Sequence, residues 1–403
     1  MRKLTITNVL DSSYVVTDDH VADRARLCLY FKVGSRDDLV EGSIHFFEHL
    51  LLQNGSKLFE KLQKKGVLWE VKTLKDFMVF QLSGIVENIE EILYIIIDTI
   101  HNFSCSEKQI EIEKSIILQE QITRHAQPNI LIQDMIYESL WDKCSGLSHP
   151  IVGNAQSLER INISVLEETT KLFCSSDIIV VGSGGFEHKR LVDFVHQAIT
   201  RSGNLFKYSP PIPEKIISTN KVVRSLSLPV SQVALGFPFL DSELVSSGLE
   251  LALISYMFAG VHSPLVKKVR WEQGLVYHLM AYPLVHRTEG AFIIHFVSSP
   301  ANISTITHLI ENEIELRKKH GFTIDEIEME KQYLRGIIIE QLDDNLNYIR
   351  STRAISAIKG QLPTIKSNEI LQKVESLNKE LIDDLFCKIL TPTSGIAVLG
   401  ETP

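Results

Sequence analysis

Apolar and polar positions recur with different periods along this chain, and each period predicts an element. Arg26–Val33 (RLCLYFKV) is a nearly continuous apolar run, as in a buried strand, and the polar Gly34-Ser35-Arg36-Asp37-Asp38 after it is a turn. A helical period runs from about Val40 to Leu52. A second helix, Lys57 to Lys64, is ended by Gly66. Val79–Ile85 reads as a strand, Ile89–Asn102 and Glu107–His125 as helices, and Asp177–Val181 (DIIVV) as the strand that closes the first half. Residues 204–220, with Pro210, Pro211 and Pro213, read as a linker.

The second half repeats this order. Val233–Phe237 (VALGF) is a strand, Leu249–Met257 a helix, and Pro264–Arg270 a short helix leading to Gly274 and another strand. Ile110–Lys114 (IEIEK) is echoed 217 positions later by Ile327–Lys331 (IEMEK), and Gly66 is echoed 208 positions later by Gly274. The order of elements carries the repeat further than these identities do. The prediction is an α+β protein of two similar domains of about 200 residues, each a mainly antiparallel sheet packed with helices. The expected boundaries are 1–203, a linker at 204–220, and 221–403.

Composition agrees with this and narrows the function. A chain of 403 residues with 44% hydrophobic content suits more than one core. Its net charge of −9 does not suit tracking of phosphate backbones, so no nucleic-acid partner is expected. Cys28, Cys105, Cys144, Cys174 and Cys387 are scattered and form no CxxC pair, which argues against a disulfide framework or a cysteine-held zinc. Reduced thiols and a cytoplasmic location fit. The opening MRKLTITNVLDSSYVV has neither the apolar run of a signal peptide nor the arginine pattern of a transit peptide. The apolar stretch Ile92–Ile97 is too short to span a bilayer, and no membrane role is expected.

The candidate chemistry lies in the first helical period. His45-Phe46-Phe47-Glu48-His49 is HxxEH. Residues at i and i+4 share a helix face, so two imidazoles there can bind one Zn²⁺, and Glu48 borders the same face within reach of an attacking water. A catalytic zinc needs a third protein ligand and an open position. Helix Glu107–His125 offers Glu107, Glu111, Glu113 and Glu120. An ordinary amphipathic helix with solvated acids has the same composition, so these residues alone do not choose the ligand.

Longer stretches carry a resemblance. VGSRDDLVEGSIHFFEHLLL, EIEKSIILQEQI, HPIVGNAQSL (His149–Leu158) and DIIVVGSGGF (Asp177–Phe186) lie in the first half. QVALGFP (Gln232–Pro238), VRWEQGLVY (Val269–Tyr277) and IDEIEMEKQYLRG (Ile324–Gly336) lie in the second. Together, in order, they resemble the pitrilysin/insulinase family of zinc peptidases, which includes mitochondrial processing peptidase. The resemblance implies metal ligands His45, His49 and Glu120, a supporting carboxylate at Glu113, and Glu48 as general base. It also implies that Arg270 and Tyr277 of the second domain contact substrate or stabilise the transition state. Two features depart from the family. His49 and Glu120 are 71 positions apart, a few fewer than usual, and Glu70-Val71 stand where Asn-Ala is common, although Thr73 and Asp76 fit.

Shifted by 208, His45 and His49 fall on Leu253 and Met257; shifted by 217, Glu120 falls on Ile337. One zinc per chain is therefore expected. Family members of this length pair around a chamber that admits peptides, so the resemblance implies a homodimer or a heterodimer with a related chain. It allows Arg270 and Tyr277 to act on a partner's zinc site. The expected activity is zinc-dependent endopeptidase action on small or unfolded peptides. The alternatives are a partner-dependent processing subunit and a non-catalytic scaffold. Gly182-Ser183-Gly184-Gly185 lacks the spacing of a dinucleotide fingerprint and reads as a turn. Lys61–Lys65 reads as a solvated face, and His278, His286 and His295 have no metal spacing.

Overall fold

The computed structural model describes residues 4–10, 13–21, 23–53, 56–201, 220–240, 242–343, 367–391 and 395–401. The expected linker lies outside them, apart from Asn220. In chain order the first half supplies strands β1 (Leu4–Leu10), β2 (Ser13–Val21), β3 (Ala25–Phe31), β4 (Leu68–Thr73), β5 (Met78–Gly84) and β6 (Ile178–Gly184). Its helices are α1 (Ser43–Leu52), α2 (Lys57–Lys65), α3 (Val86–His101), α4 (Glu107–His125), α5 (Pro128–Leu140), α6 (Ala155–Glu159), α7 (Ile163–Ser175) and α8 (His188–Arg201). The second half supplies β7 (Asn220–Arg224), β8 (Ser231–Phe239), β9 (Val276–Val285), β10 (Gly290–Ser298) and β11 (Gly395–Leu399). Its helices are α9 (Ser242–Ser246), α10 (Gly248–Ala259), α11 (Pro264–Val266), α12 (Ile303–His320), α13 (Ile324–Asp343), α14 (Ser367–Ser376) and α15 (Lys379–Ile389).

In the first unit the sheet order is β1-β2-β6-β3-β5-β4, with β2 and β6 parallel and the other neighbours antiparallel. The apolar run of β3 follows from its central place, because both faces are covered. Leu27, Leu29 and Phe31 join the main core with Phe46 and Phe47 of α1, Ile92 and Ile96 of α3 and Phe173 of α7. Cys28 and Tyr30 pack on the other face with Tyr14, Val79, Ile179 and Val181. Strand β4 is the edge, and its residues from Leu68 to Lys72 are wholly or partly exposed.

In the second unit the order is β7-β11-β8-β10-β9, with β7 and β11 parallel. This matches the first sheet from β2 to β4, as the repeat requires. Gly66 (φ +62°) and Gly274 (φ +61°) both turn the chain through the left-handed region into the edge strand of their sheet, a conformation that glycine adopts without strain.

One sequence expectation changes. The boundary at 203 does not describe Arg124–Ser148, which belongs to the second unit. Helix α5 packs there on Ala234, Ile293 and Ala397 through Leu131, Met135 and Leu140. Its apolar face is matched to that sheet: a Cβ at Gly236 or at Gly395 would lie 2.8 Å from Leu140 Cδ2. Gly248–Glu272 has the length and hydropathy of a membrane span, yet the helix breaks between α10 and α11 within it and 61% of its most apolar 18-residue window is buried within the protein, as in core helices.

Candidate metal centre

Helix α1 is started from outside itself. Gly42, at its N-cap, has no side chain, so Asp38 supplies the acceptors, taking hydrogen bonds from Gly42 N and Ile44 N at 2.8 Å and from Ser43 Oγ at 3.1 Å. This places the helix start at Ser43 rather than Val40. Ile44, Phe46, Phe47, Leu50 and Leu51 enter the core, and each buried phenylalanine contributes about 1.5–3 kcal/mol. The remaining stripe of the helix carries His45, Glu48 and His49.

Helix α4 faces that stripe. His45 Nε2 lies 3.7 Å and His49 Nε2 3.5 Å from Glu120 Oε2. His49 Nδ1 donates to Glu113 Oε1 at 2.8 Å, and Gln53 also reaches Glu113 at 3.4 Å. Donor atoms of His45, His49 and Glu120 all lie within 4.8 Å of one another, and no other such group occurs among the described residues. Tetrahedral ligands about 2.1 Å from a zinc ion stand roughly 3.4 Å apart, so this set fits the ion with little movement. The four acids of α4 separate clearly. Glu107 is exposed, Glu111 is exposed and pairs with Lys114, Glu113 supports His49, and Glu120 meets both imidazoles.

The electrostatics favour a positive charge at this point. Burial works to lower the pKa of His49, but hydrogen bonds and charge from Glu113 and Glu120 outweigh it and push the value up to about 9. Glu48 is 9% exposed and accepts a 2.5 Å hydrogen bond at Oε2 from Thr73 Oγ1. Burial raises its pKa; Thr73 and His49 oppose the shift, and the charge of Glu120 adds to it. A carboxyl whose proton affinity is raised by burial is better suited to take a proton and return it.

A groove of about 600 Å³ opens beside Glu48 and His49, lined by Leu52, Gln109, Ile112 and Ile116 among others. Ile112 and Ile116 are 45% and 47% exposed, one turn apart on α4. Their signal was present in the sequence: α4 carries this second apolar pair besides the buried Ile110 and Ile117.

Arg270 and Tyr277 lie in the second unit. The expected helix Pro264–Arg270 is shorter: it becomes π-helical over Lys267–Glu272, and the Arg270 guanidinium sits 4.7 Å over the Trp271 ring. Tyr277 falls at a register shift of β9 against β10 and is 79% exposed. The ligand positions do not recur in this unit. Leu253 and Met257 are buried in its core, Ile337 replaces the third ligand, and Glu330, 2% exposed, stands where the repeat places Glu113.

Known proteins resemble the chain along its whole length. The profile of the insulinase family, peptidase family M16, matches residues 14–153, and that of the peptidase M16 inactive domain matches residues 161–334. The second range spans the end of the first unit and most of Pro213–Glu340 of the second, which lacks the metal ligands. An uncharacterized zinc protease of Mycobacterium leprae is 22% identical over 96% of this chain and 89% of its own length. The uncharacterized zinc protease YmxG of Bacillus subtilis is 20% identical over 93% and 92%. Among solved structures, a protease from Helicobacter pylori gives a TM-score of 0.84 at 16% identity, covering 100% of both chains. A putative M16-like peptidase from Alicyclobacillus acidocaldarius gives 0.82 at 15%, covering 99% of this chain and 98% of its own. Two matched halves, two repeated sheets and relatives named as zinc proteases agree: this chain belongs to the insulinase family, peptidase family M16.

Proposed function

We propose that this chain is a zinc-dependent endopeptidase acting on small or unfolded peptides, with one zinc per chain held by His45, His49 and Glu120. The observation that carries this reading is the convergence of those three side chains beside the buried carboxylate of Glu48. Bound there, zinc would supply Lewis acidity, lowering the pKa of a water towards neutrality and polarising the scissile carbonyl. Glu48 takes the proton of the attacking water and passes it to the leaving amine. Glu113 orients His49 so that Nε2 faces the ligand cluster. The open edge of β4 suits an extended peptide added as a further strand, and Leu52, Ile112 and Ile116 suit an apolar side chain next to the scissile bond. Arg270 and Tyr277 contact the substrate, and two chains pair around it, as the family resemblance implies.

A scaffold of the same fold needs its sheets but has no use for two imidazoles and three carboxylates gathered at one point. Zinc analysis of purified protein, with peptide cleavage by wild type and Glu48→Gln, tests the proposal. Wild type should hold one zinc and cleave, and Glu48→Gln should hold zinc and cleave at least about 100-fold more slowly. A wild type that binds no zinc, and cleaves nothing alone or with a related chain, overturns it.

A further inference from the structure

The hydroxyl of Thr73 is not one of the clustered donor groups, yet its place is fixed at several points. It donates to Glu48 Oε2 at 2.5 Å, and the Thr73 backbone N–H also donates to this carboxylate. Thr73 is the last residue of β4, paired with Met78 in the hairpin. The turn after it is fastened to the loop that precedes α1. Ser35 N donates to Leu74 O at 2.9 Å and Arg36 N to Lys75 O at 3.0 Å. The Arg36 guanidinium, itself fully buried, meets Asp76 at 2.9 Å. Two residues further on, Asp38 caps α1, which carries Glu48. The contacts close a ring: β4, turn, loop, helix, Glu48, and back through the Thr73 hydroxyl to β4. A ring fastened by buried polar contacts leaves the carboxylate few alternative orientations.

We propose that Thr73 is a positioning residue for the base: its hydroxyl holds Oε2 of Glu48 and registers the base with edge strand β4. The inference rests on the peptidase reading for its kinetic part only. A carboxylate free to rotate loses the alignment that proton transfer needs, and displacement of about 1 Å costs on the order of 100-fold in rate.

The test compares zinc-loaded wild type, Thr73→Val and Thr73→Ser. Valine keeps the shape and removes the donor; serine keeps the donor. Thr73→Val should lower kcat roughly 10- to 100-fold, leave KM within about twofold and keep one zinc per chain. Thr73→Ser should recover most of kcat. Crystal structures supply the readout that needs no activity: the Glu48 carboxylate should leave its wild-type position in Thr73→Val and keep it in Thr73→Ser. The proposal is overturned if Glu48 stays in place in Thr73→Val, if that variant keeps its kcat, or if its defect is loss of zinc. If wild type cleaves no peptide, the peptidase reading fails on its own, and the Glu48 positions still decide the role of Thr73.

Discussion

His49 and Glu113 are joined by a 2.8 Å hydrogen bond in which Nδ1 donates to a carboxylate that is only 3% exposed. A carboxylate cannot donate, so in the neutral ring that a metal would bind, the bond fixes the tautomer and directs the Nε2 lone pair towards His45 and Glu120. Removing such a partner typically weakens metal binding by about 10- to 100-fold. Glu113→Gln should therefore show a zinc affinity lower by that factor in competition with a chelator, with its circular dichroism unchanged. Affinity equal to wild type would show that His49 is oriented by something else.

His45, Glu48 and His49 were readable because helical spacing alone puts them on one face. Glu120 was not, since Glu107, Glu111, Glu113 and Glu120 look alike along α4 and only the packing against α1 separates them. The family resemblance, not periodicity, named it. Helix α5 was missed, and with it the assignment of Arg124–Ser148 to the second unit, because sequence adjacency says nothing about which sheet an apolar face will cover. The role of Thr73 was invisible for the same reason: a threonine at a strand end is ordinary until the carboxylate opposite it is known.

Gly34 tests the ring of contacts from a second side. A Cβ there would meet Phe77 N at 2.3 Å, Lys75 O at 2.4 Å and Leu74 O at 2.5 Å, all backbone atoms of the hairpin turn. Backbone cannot swing aside as a flexible side chain can, so the turn itself must move. Gly34→Ala should lower stability by about 2–3 kcal/mol and reduce kcat more than zinc content. A melting temperature and kcat both equal to wild type would mean that the turn is not held as tightly as these distances require.

The second unit carries a partly buried proton-dependent group. His295 on β10 bonds through Nε2 to Gln232 Oε1 at 3.1 Å, and Gln232 donates on to Asn129 of α5 at 2.9 Å. Burial, with the nearby His278, pulls its pKa from 6.5 down to about 4. Between these values the unfolded chain binds a proton that the folded chain does not. Stability is then full above about pH 6.5 and falls as the pH drops towards 4, by about 1.4 kcal/mol per unit and on the order of 3 kcal/mol in all. Urea unfolding of His295→Gln from pH 7 to 4 should show a shallower loss than wild type, and parallel curves would remove His295 as the cause.

Tyr277 is the sharpest test of the role proposed for the second half of the chain. Its phenol is 79% exposed at a bulge of edge strand β9, so a peptide can reach it without rearrangement of the strand. On the proposed reading its hydroxyl stabilises charge in the transition state, and Tyr277→Phe should lower kcat roughly 10- to 100-fold with zinc content unchanged. Mixing resolves which chain it serves. A chain with Glu48→Gln has no base but keeps its tyrosine; a chain with Tyr277→Phe keeps its base. If the tyrosine acts across a pair, the mixed pair contains one complete centre, and activity should exceed that of either parent. If it acts within its own chain, no mixture can assemble a complete centre, and activity stays at the level of the parents. Recovery is the expected result, and it should disappear on dilution below the concentration at which the chains associate.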